Sequence, residues 1–260
     1  MNPLFFLFPL SFLVFFSCNQ EALLHTPFTD NFERNRPGSA WFDTIGRYVI
    51  DRGVLTISGG YNHPLWLRQP LPSEVEITLR TRALSSDGDL KIELFGDGKS
   101  FAFNRGRYFA TGYVLCQGGW NNTKTFIARR DEHDPRLLMT TRFPVNIGTW
   151  HEWRITTHFD GSRLVISWWI DGVLALRLVD PHPLYSSKNR YFGFSNWKSD
   201  ANFDDLYIAP LTPQRRQELQ AAGNAATPNP PEPVQPNTTP HDPPAPNPPM
   251  PPDPSGGIPE

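Results

Sequence analysis

The sequence predicts an all-β protein, an antiparallel β-sandwich or barrel, over Pro27–Leu211. Three observations predict it. Apolar residues alternate with polar ones at a period of two, the mark of half-buried strands. Asp-Gly pairs separate several of these runs and are strong short hairpin signals. No helical period of useful length interrupts the segment, and a dozen or so strands with turns between them argue for a closed or double-layered antiparallel fold.

Taken along the chain, strands are expected at Tyr48–Ser58 and Leu65–Gln69. In Glu74–Arg80, Val75, Ile77 and Leu79 share one face, and in Asp89–Phe95, Leu90, Ile92 and Leu94 do so. Tyr108–Cys116 and Lys124–Arg130 follow. In Trp150–Phe159 the common face is Trp153, Ile155, Thr157 and Phe159; in Arg163–Ile170 it is Leu164, Ile166, Trp168 and Ile170. Asp160-Gly161 and Asp171-Gly172 join these runs into a three-stranded meander that ends at Val179. Arg190–Ser195 and Asn202–Ala209 complete the set. Thr212 is then an N-cap with Pro213 at the first helical position, and Gly223 a plausible stop, so residues 212–223 hold a short helix. Leu219 is its only large apolar residue, which predicts weak packing.

Composition sets the tails apart. The chain has 260 residues and 28 prolines, of which 15 fall in Thr227–Glu260, a stretch without Phe, Trp or Tyr. Proline removes backbone donors and the segment has no apolar payload, so residues 224–260 are expected to be disordered and extended. They would serve as an inert spacer or as a ligand for a partner's aromatic groove. Pro27–Leu211 carries 22 basic and 20 acidic residues, which gives no electrostatic footprint for nucleic acid. Two cysteines cannot build a disulfide framework.

At the other end, Leu4–Phe16 has the length of a signal-peptide core and is too short to span a bilayer as a helix. Phe15-Phe16-Ser17-Cys18 follows and resembles a bacterial lipobox, although the first three residues lack Lys or Arg and Phe15 stands where Leu is usual. The resemblance implies a signal peptide over residues 1–17, lipidation (palmitate among the acyl chains) at Cys18, and a linker over residues 18–26. Asn19 after the cysteine points to a lipid-anchored protein of the bacterial outer membrane. An ordinary signal peptide with an incidental cysteine accounts for the same residues. Cys116 reads as a small buried hydrophobe.

The ordered motifs between the tails carry a family resemblance. Phe28-Thr29-Asp30-Asn31-Phe32 precedes Trp41, and Gly148-Thr149-Trp150-His151-Glu152-Trp153-Arg154-Ile155 stands in the middle. Trp169-Ile170-Asp171-Gly172 follows, then Tyr191-Phe192-Gly193-Phe194 and Phe203-Asp204-Asp205-Leu206-Tyr207-Ile208. This order resembles the concanavalin A-like lectin/glucanase superfamily, in particular its laminin-G-like jelly rolls. The resemblance implies a jelly roll that binds or cleaves carbohydrate. It also implies a structural Ca²⁺ where the first and last strands meet, held by Asp30 with Asp204 or Asp205. Ordinary surface carboxylates explain the same three residues.

Retaining glucanases of that superfamily carry Glu-x-Asp-x-x-Glu on one strand face. Glu74 and Glu76 have the first spacing, but Leu79 occupies the last place, and Asp87, Asp89 and Glu93 also miss the pattern. Glu74 and Glu76 then read as a solvated strand face. The most unusual segment is Gly118-Gly119-Trp120-Asn121-Asn122-Thr123, followed by Arg129-Arg130-Asp131-Glu132-His133. Trp120 offers a stacking platform for a sugar ring, and Asn121, Asn122, Arg129 and Asp131 offer planar hydrogen bonding to hydroxyls. Trp197 is a second platform in a loop. Glu132 and His133 offer an acid/base pair. A packed hairpin turn with a solvated charged loop accounts for the same residues.

The expected function is a non-catalytic carbohydrate- or cell-wall-binding lipoprotein, its partner a polysaccharide or peptidoglycan. A glycoside hydrolase or polysaccharide lyase on the same fold is the enzyme alternative. The third alternative is an envelope protein-interaction module that uses the Pro-rich tail.

Overall fold

The computed structural model describes residues 22–45, 47–102 and 108–226. The expected signal peptide, the lipidation site Cys18 and the tail from residue 227 lie outside the described residues. Within them, fifteen strands form two antiparallel sheets. In chain order these are β1 (Phe28–Asp30), β2 (Trp41–Asp43), β3 (Val49–Asp51), β4 (Val54–Ser58) and β5 (Leu65–Leu67). Next come β6 (Val75–Ala83), β7 (Leu90–Gly96), β8 (Tyr113–Gly118), β9 (Lys124–Arg129) and β10 (Leu138–Thr140). The last five are β11 (His151–Asp160), β12 (Arg163–Ile170), β13 (Val173–Asp180), β14 (Tyr191–Ser195) and β15 (Asp200–Pro210).

The first sheet runs β13-β12-β11-β6-β15-β4-β3, and the second runs β10-β9-β8-β7-β14-β5-β2. β1 adds to the far half of β15, opposite Leu206–Ile208, while β4 takes the near half, opposite Asp200–Phe203. Between these halves the ladder shifts register, and Asp205 takes a left-handed φ of 49°.

The inward faces are those that alternation predicts. Val75, Ile77, Leu79, Trp153, Ile155, Leu164, Ile166 and Trp168 from the first sheet meet Leu90, Ile92, Leu94, Leu115 and Ile127 from the second. Each is at most 2 % exposed. Burial of such side chains stabilises the fold by about 1.5–3 kcal/mol apiece.

The second sheet is also covered on its outer side. All seven residues of β7 and all six of β8 are buried. Val114, Cys116, Phe126 and Ala128 pack there under Ala102, Tyr108, Ala110, Leu137 and Met139. This is why the strand expected at Tyr108–Cys116 begins only at Tyr113: Tyr108 and Ala110 belong to the covering arm. Trp66 is likewise fully buried, its indole N–H donating to the Ser100 carbonyl at 3.0 Å.

Two more expectations are corrected. Tyr48–Ser58 is split into β3 and β4 by Arg52-Gly53, both left-handed, and Tyr48 turns inward to donate to the Phe194 carbonyl. The C-terminal helix runs past Gly223, over Pro213–Ala226. Ion pairs dock its first turn. Arg215 forks onto Glu76 at 2.9 and 3.0 Å, and Arg216 pairs with Glu74. Glu74 and Glu76 are therefore helix-docking residues and not a solvated strand face.

Candidate functional site

Alternation that sends Leu90, Ile92 and Leu94 inward sends Lys91 and Glu93 onto the outer face of β7, with Asp89 just before them. Both strand residues are 1 % exposed. A buried ammonium needs partners. Lys91 Nζ donates to Asn62 Oδ1 at 2.7 Å and to both Glu132 oxygens at 3.2 Å, with Asp89 Oδ1 at 3.9 Å. Burial pulls the Lys91 ammonium down, but Asp89 and Glu132 outweigh it and hold its pKa above the ordinary value. Glu93 accepts a hydrogen bond from the Tyr108 hydroxyl at 3.0 Å. Burial pushes its carboxyl up to about 8, against the opposing pull of Tyr108 and Lys91. The centre of this face therefore holds a carboxyl that burial pushes towards its neutral form, on the same strand as a charged, triply accompanied lysine.

Aromatic rings flank this set. On the Asn62 side, Tyr61 N–H donates to the Trp197 carbonyl, and Asn62 N–H to that of Asn196. Trp197 N–H in turn donates to Asp89 Oδ2 at 2.5 Å. The Trp197 ring, half-buried, meets Tyr61 edge-on at 5.1 Å. On the Glu132 side stands Trp120, 40 % exposed, tilted against Phe126 at 4.8 Å and edge-on to His133 at 6.1 Å.

Trp120 is held by an unusual backbone. Trp120, Asn121 and Asn122 have φ of 48°, 55° and 60°, a left-handed turn made of three consecutive non-glycine residues. L-residues there cost about 1–2 kcal/mol each, with Asn the most tolerant. Asn122 locks the turn: its Nδ2 donates to the Val145 carbonyl at 2.8 Å, and its Oδ1 accepts from Val145 N–H at 2.6 Å.

The sequence-derived set is therefore divided. Trp120, the exposed Asn121, Asp131, Glu132, His133 and Trp197 lie around the outer face. Asn122 is spent on the turn. Arg129 points elsewhere, donating to Asp180 Oδ2 at 3.0 Å and to the His182 carbonyl at 2.7 Å. Glu132 and His133 have different neighbours: Glu132 faces Lys91, while the His133 ring sits by Trp120 and its backbone N–H donates to Asp131 Oδ1. Lys91, Glu93, Asn62 and Tyr108 were missed: the Asp89-x-Lys91-x-Glu93 alternation puts Lys91 and Glu93 on one face, but nothing in the sequence shows that this face is covered.

The carboxylates named for calcium do not fit a cation. Asp30 accepts the Arg34 fork at 2.6 and 2.7 Å, the Trp41 indole N–H at 2.8 Å and Phe32 N–H at 2.9 Å. Burial raises this carboxyl, but Arg34 and Trp41 outweigh it and hold its pKa below the ordinary range. Asp205 faces Arg80 at 3.2 Å, and Asp204 accepts from Asp205 N–H. Donors and a guanidinium stand where the ion is expected. Among the described residues no cluster of three or more His, Cys, Asp or Glu side chains forms a metal site.

No family model matches the chain, and no curated protein matches it. Solved structures do. The apo Crh5 transglycosylase is 13 % identical over 75 % of this chain and 88 % of its own, with a TM-score of 0.53. The lectin UEA-II in complex with galactose is 10 % identical over 72 % and 98 %, with a TM-score of 0.52. The carbohydrate recognition domain of Emp46p, in metal-free form, is 10 % identical over 74 % and 97 %, with a TM-score of 0.50. At such identities the likeness is one of fold: this chain has the concanavalin A-like jelly roll that a lectin and a transglycosylase share.

Proposed function

We propose that this chain is a carbohydrate-binding module that takes a glycan on the outer face of its second sheet. Trp120 and Trp197 stack on sugar rings, while Asn121, Asp131 and His133 meet hydroxyls. The observation that carries this reading is the left-handed turn that holds Trp120 in the open beside the Lys91–Glu132 pair. Strain of that kind persists where the surroundings enforce it, and it clusters at binding sites. The N-terminal lipobox supports display on the bacterial outer membrane through a lipid at Cys18, within reach of polysaccharide or peptidoglycan.

The test is a glycan and peptidoglycan array with the intact chain, Trp120→Ala and Trp197→Ala. Each variant is expected to weaken binding of the captured glycan at least about tenfold, or about 1.4 kcal/mol, with its fold retained. Undiminished binding in both refutes the site.

A second reading is favoured by one observation, a buried carboxyl at the centre of the same face, Glu93, that accepts a hydrogen bond from the Tyr108 hydroxyl at 3.0 Å. On it the protein is a glycoside hydrolase or polysaccharide lyase in which Glu93 acts from beneath the face through Tyr108. Product release by the wild type that Glu93→Gln abolishes would establish it.

A further inference from the structure

A concavity lies at the opposite end of β7 from Lys91. It has a volume of about 790 Å³ and is lined by Asp97, Lys99, Phe109, Arg130, Lys188 and Tyr191 among others. Its charge is one-sided. The Asp97 carboxylate is spent on its own turn, accepting from Lys99 N–H at 3.0 Å, Ser100 N–H at 2.8 Å and Ser100 Oγ at 2.6 Å. Lys99, Arg130 and Lys188 are exposed, and among the described residues none of the three pairs with a carboxylate.

Arg130 is also fixed by its backbone. It has a left-handed φ of 69°, its N–H donates to the Gly112 carbonyl at 3.0 Å, and its carbonyl accepts from Ala110 N–H at 3.0 Å. The chain thus turns sharply after β9 with a cation at the bend. Two residues later Glu132 reaches Lys91. The loop that starts in the cleft therefore runs on to Glu132 at Lys91 and His133 at Trp120. Along β7, six residue steps carry the chain from Lys91 to Asp97, roughly 20 Å at about 3.3 Å per residue.

The geometry points to an anionic glycan as the ligand, with carboxylate or sulfate groups seated over Lys99, Arg130 and Lys188. The proposal rests on the reading of the outer face as a glycan site, and it adds the charge class of the polymer and a second subsite.

The test compares the full chain with Trp120→Ala and with a triple variant, Lys99→Gln, Arg130→Gln and Lys188→Gln. Probes are polygalacturonate for carboxylates, dextran sulfate for sulfates and dextran as the neutral control, each at low and high salt. Wild type is expected to bind one anionic polymer, the preferred arm naming the group. The triple variant is expected to weaken that binding about tenfold or more and flatten its salt dependence. Equal binding of dextran, or anionic binding that the triple variant leaves intact, overturns the anionic subsite while the aromatic site stands. Anionic binding lost in the triple variant but indifferent to Trp120→Ala keeps the subsite and overturns the aromatic one. Binding to none of the probes or array glycans overturns both.

Discussion

Glu93→Gln should make the protein more stable at neutral and alkaline pH than the wild type. The Glu93 carboxyl is 1 % exposed and ionises near 8 in the fold, against an ordinary 4.5. Burial is the main cause. At pH 4.5 and below, both folded and unfolded chains hold this proton, and the glutamine variant matches the protonated acid in shape. Between 4.5 and 8 the unfolded chain releases the proton while the folded chain keeps it, so wild-type stability falls as pH rises. Each pH unit in that window costs up to about 1.4 kcal/mol, or about 5 kcal/mol across it as an upper bound. Above 8 the folded chain ionises too and the loss levels off. Glutamine keeps an acceptor for the Tyr108 hydroxyl but has nothing to ionise. Other groups cancel in the comparison: His158, whose pKa burial lowers, titrates in both proteins, and the raised Lys91 titrates above this range. The assay is urea unfolding of both proteins from pH 5 to 9. The variant's advantage should grow with pH and approach several kcal/mol by pH 8. A difference that stays below about 1 kcal/mol throughout would refute the claim that Glu93 is held protonated by burial.

Two further outcomes follow from packing. A Cβ added at Gly193 would meet Trp66 Cε3 at 2.7 Å, and Trp66 is fully buried with no room to yield. Gly193→Ala should cost about 1–3 kcal/mol and lower Tm by about 2–4 °C for each; an unchanged melting curve would contradict that packing. Cys116 is fully buried, and burial, then Asp89, raises its thiol well above the ordinary value. In a Cys18→Ser chain it should resist maleimide until urea unfolds the domain, and fast labelling of the native protein would count against the covering arm.

How much of this was legible in the sequence depends on which face of a strand is asked about. Inward faces announce themselves, because burial from both sheets demands Val75, Ile77 and Leu79 in one strand and Leu164, Ile166 and Trp168 in another. Alternation therefore found β6, β7, β11 and β12 to within three residues at either end. Three-residue strands such as β2 and β10 carry too little pattern to register, and their partners, β5 and β9, are what define them. Tyr108–Gly112 misled for a physical reason: a covering arm packed on a sheet has the same apolar content as a strand within it.

The site shows the same asymmetry. Trp120 and a turn beside it were visible as Gly118-Gly119-Trp120-Asn121-Asn122, since glycine permits a turn, but the left-handed run through Trp120, Asn121 and Asn122 was not. Lys91 and Glu93 were not, because charge on the outer face of a strand ordinarily means water. What overturns that expectation is a cover contributed from elsewhere in the chain, with Asn62 and Glu132 arriving from loops 29 and 41 residues distant. Once the outer face is covered, the charges there must be paired or neutral. Both solutions stand two residues apart: Lys91 gathers acceptors that favour its charge, and burial pushes Glu93 towards its neutral form. Since desolvating two ionisable side chains is a poor way to stabilise a sheet that Val114, Phe126 and Ala128 already seal, their presence beneath Asn62, Glu132 and Tyr108 is itself an argument for the ligand site proposed on this face.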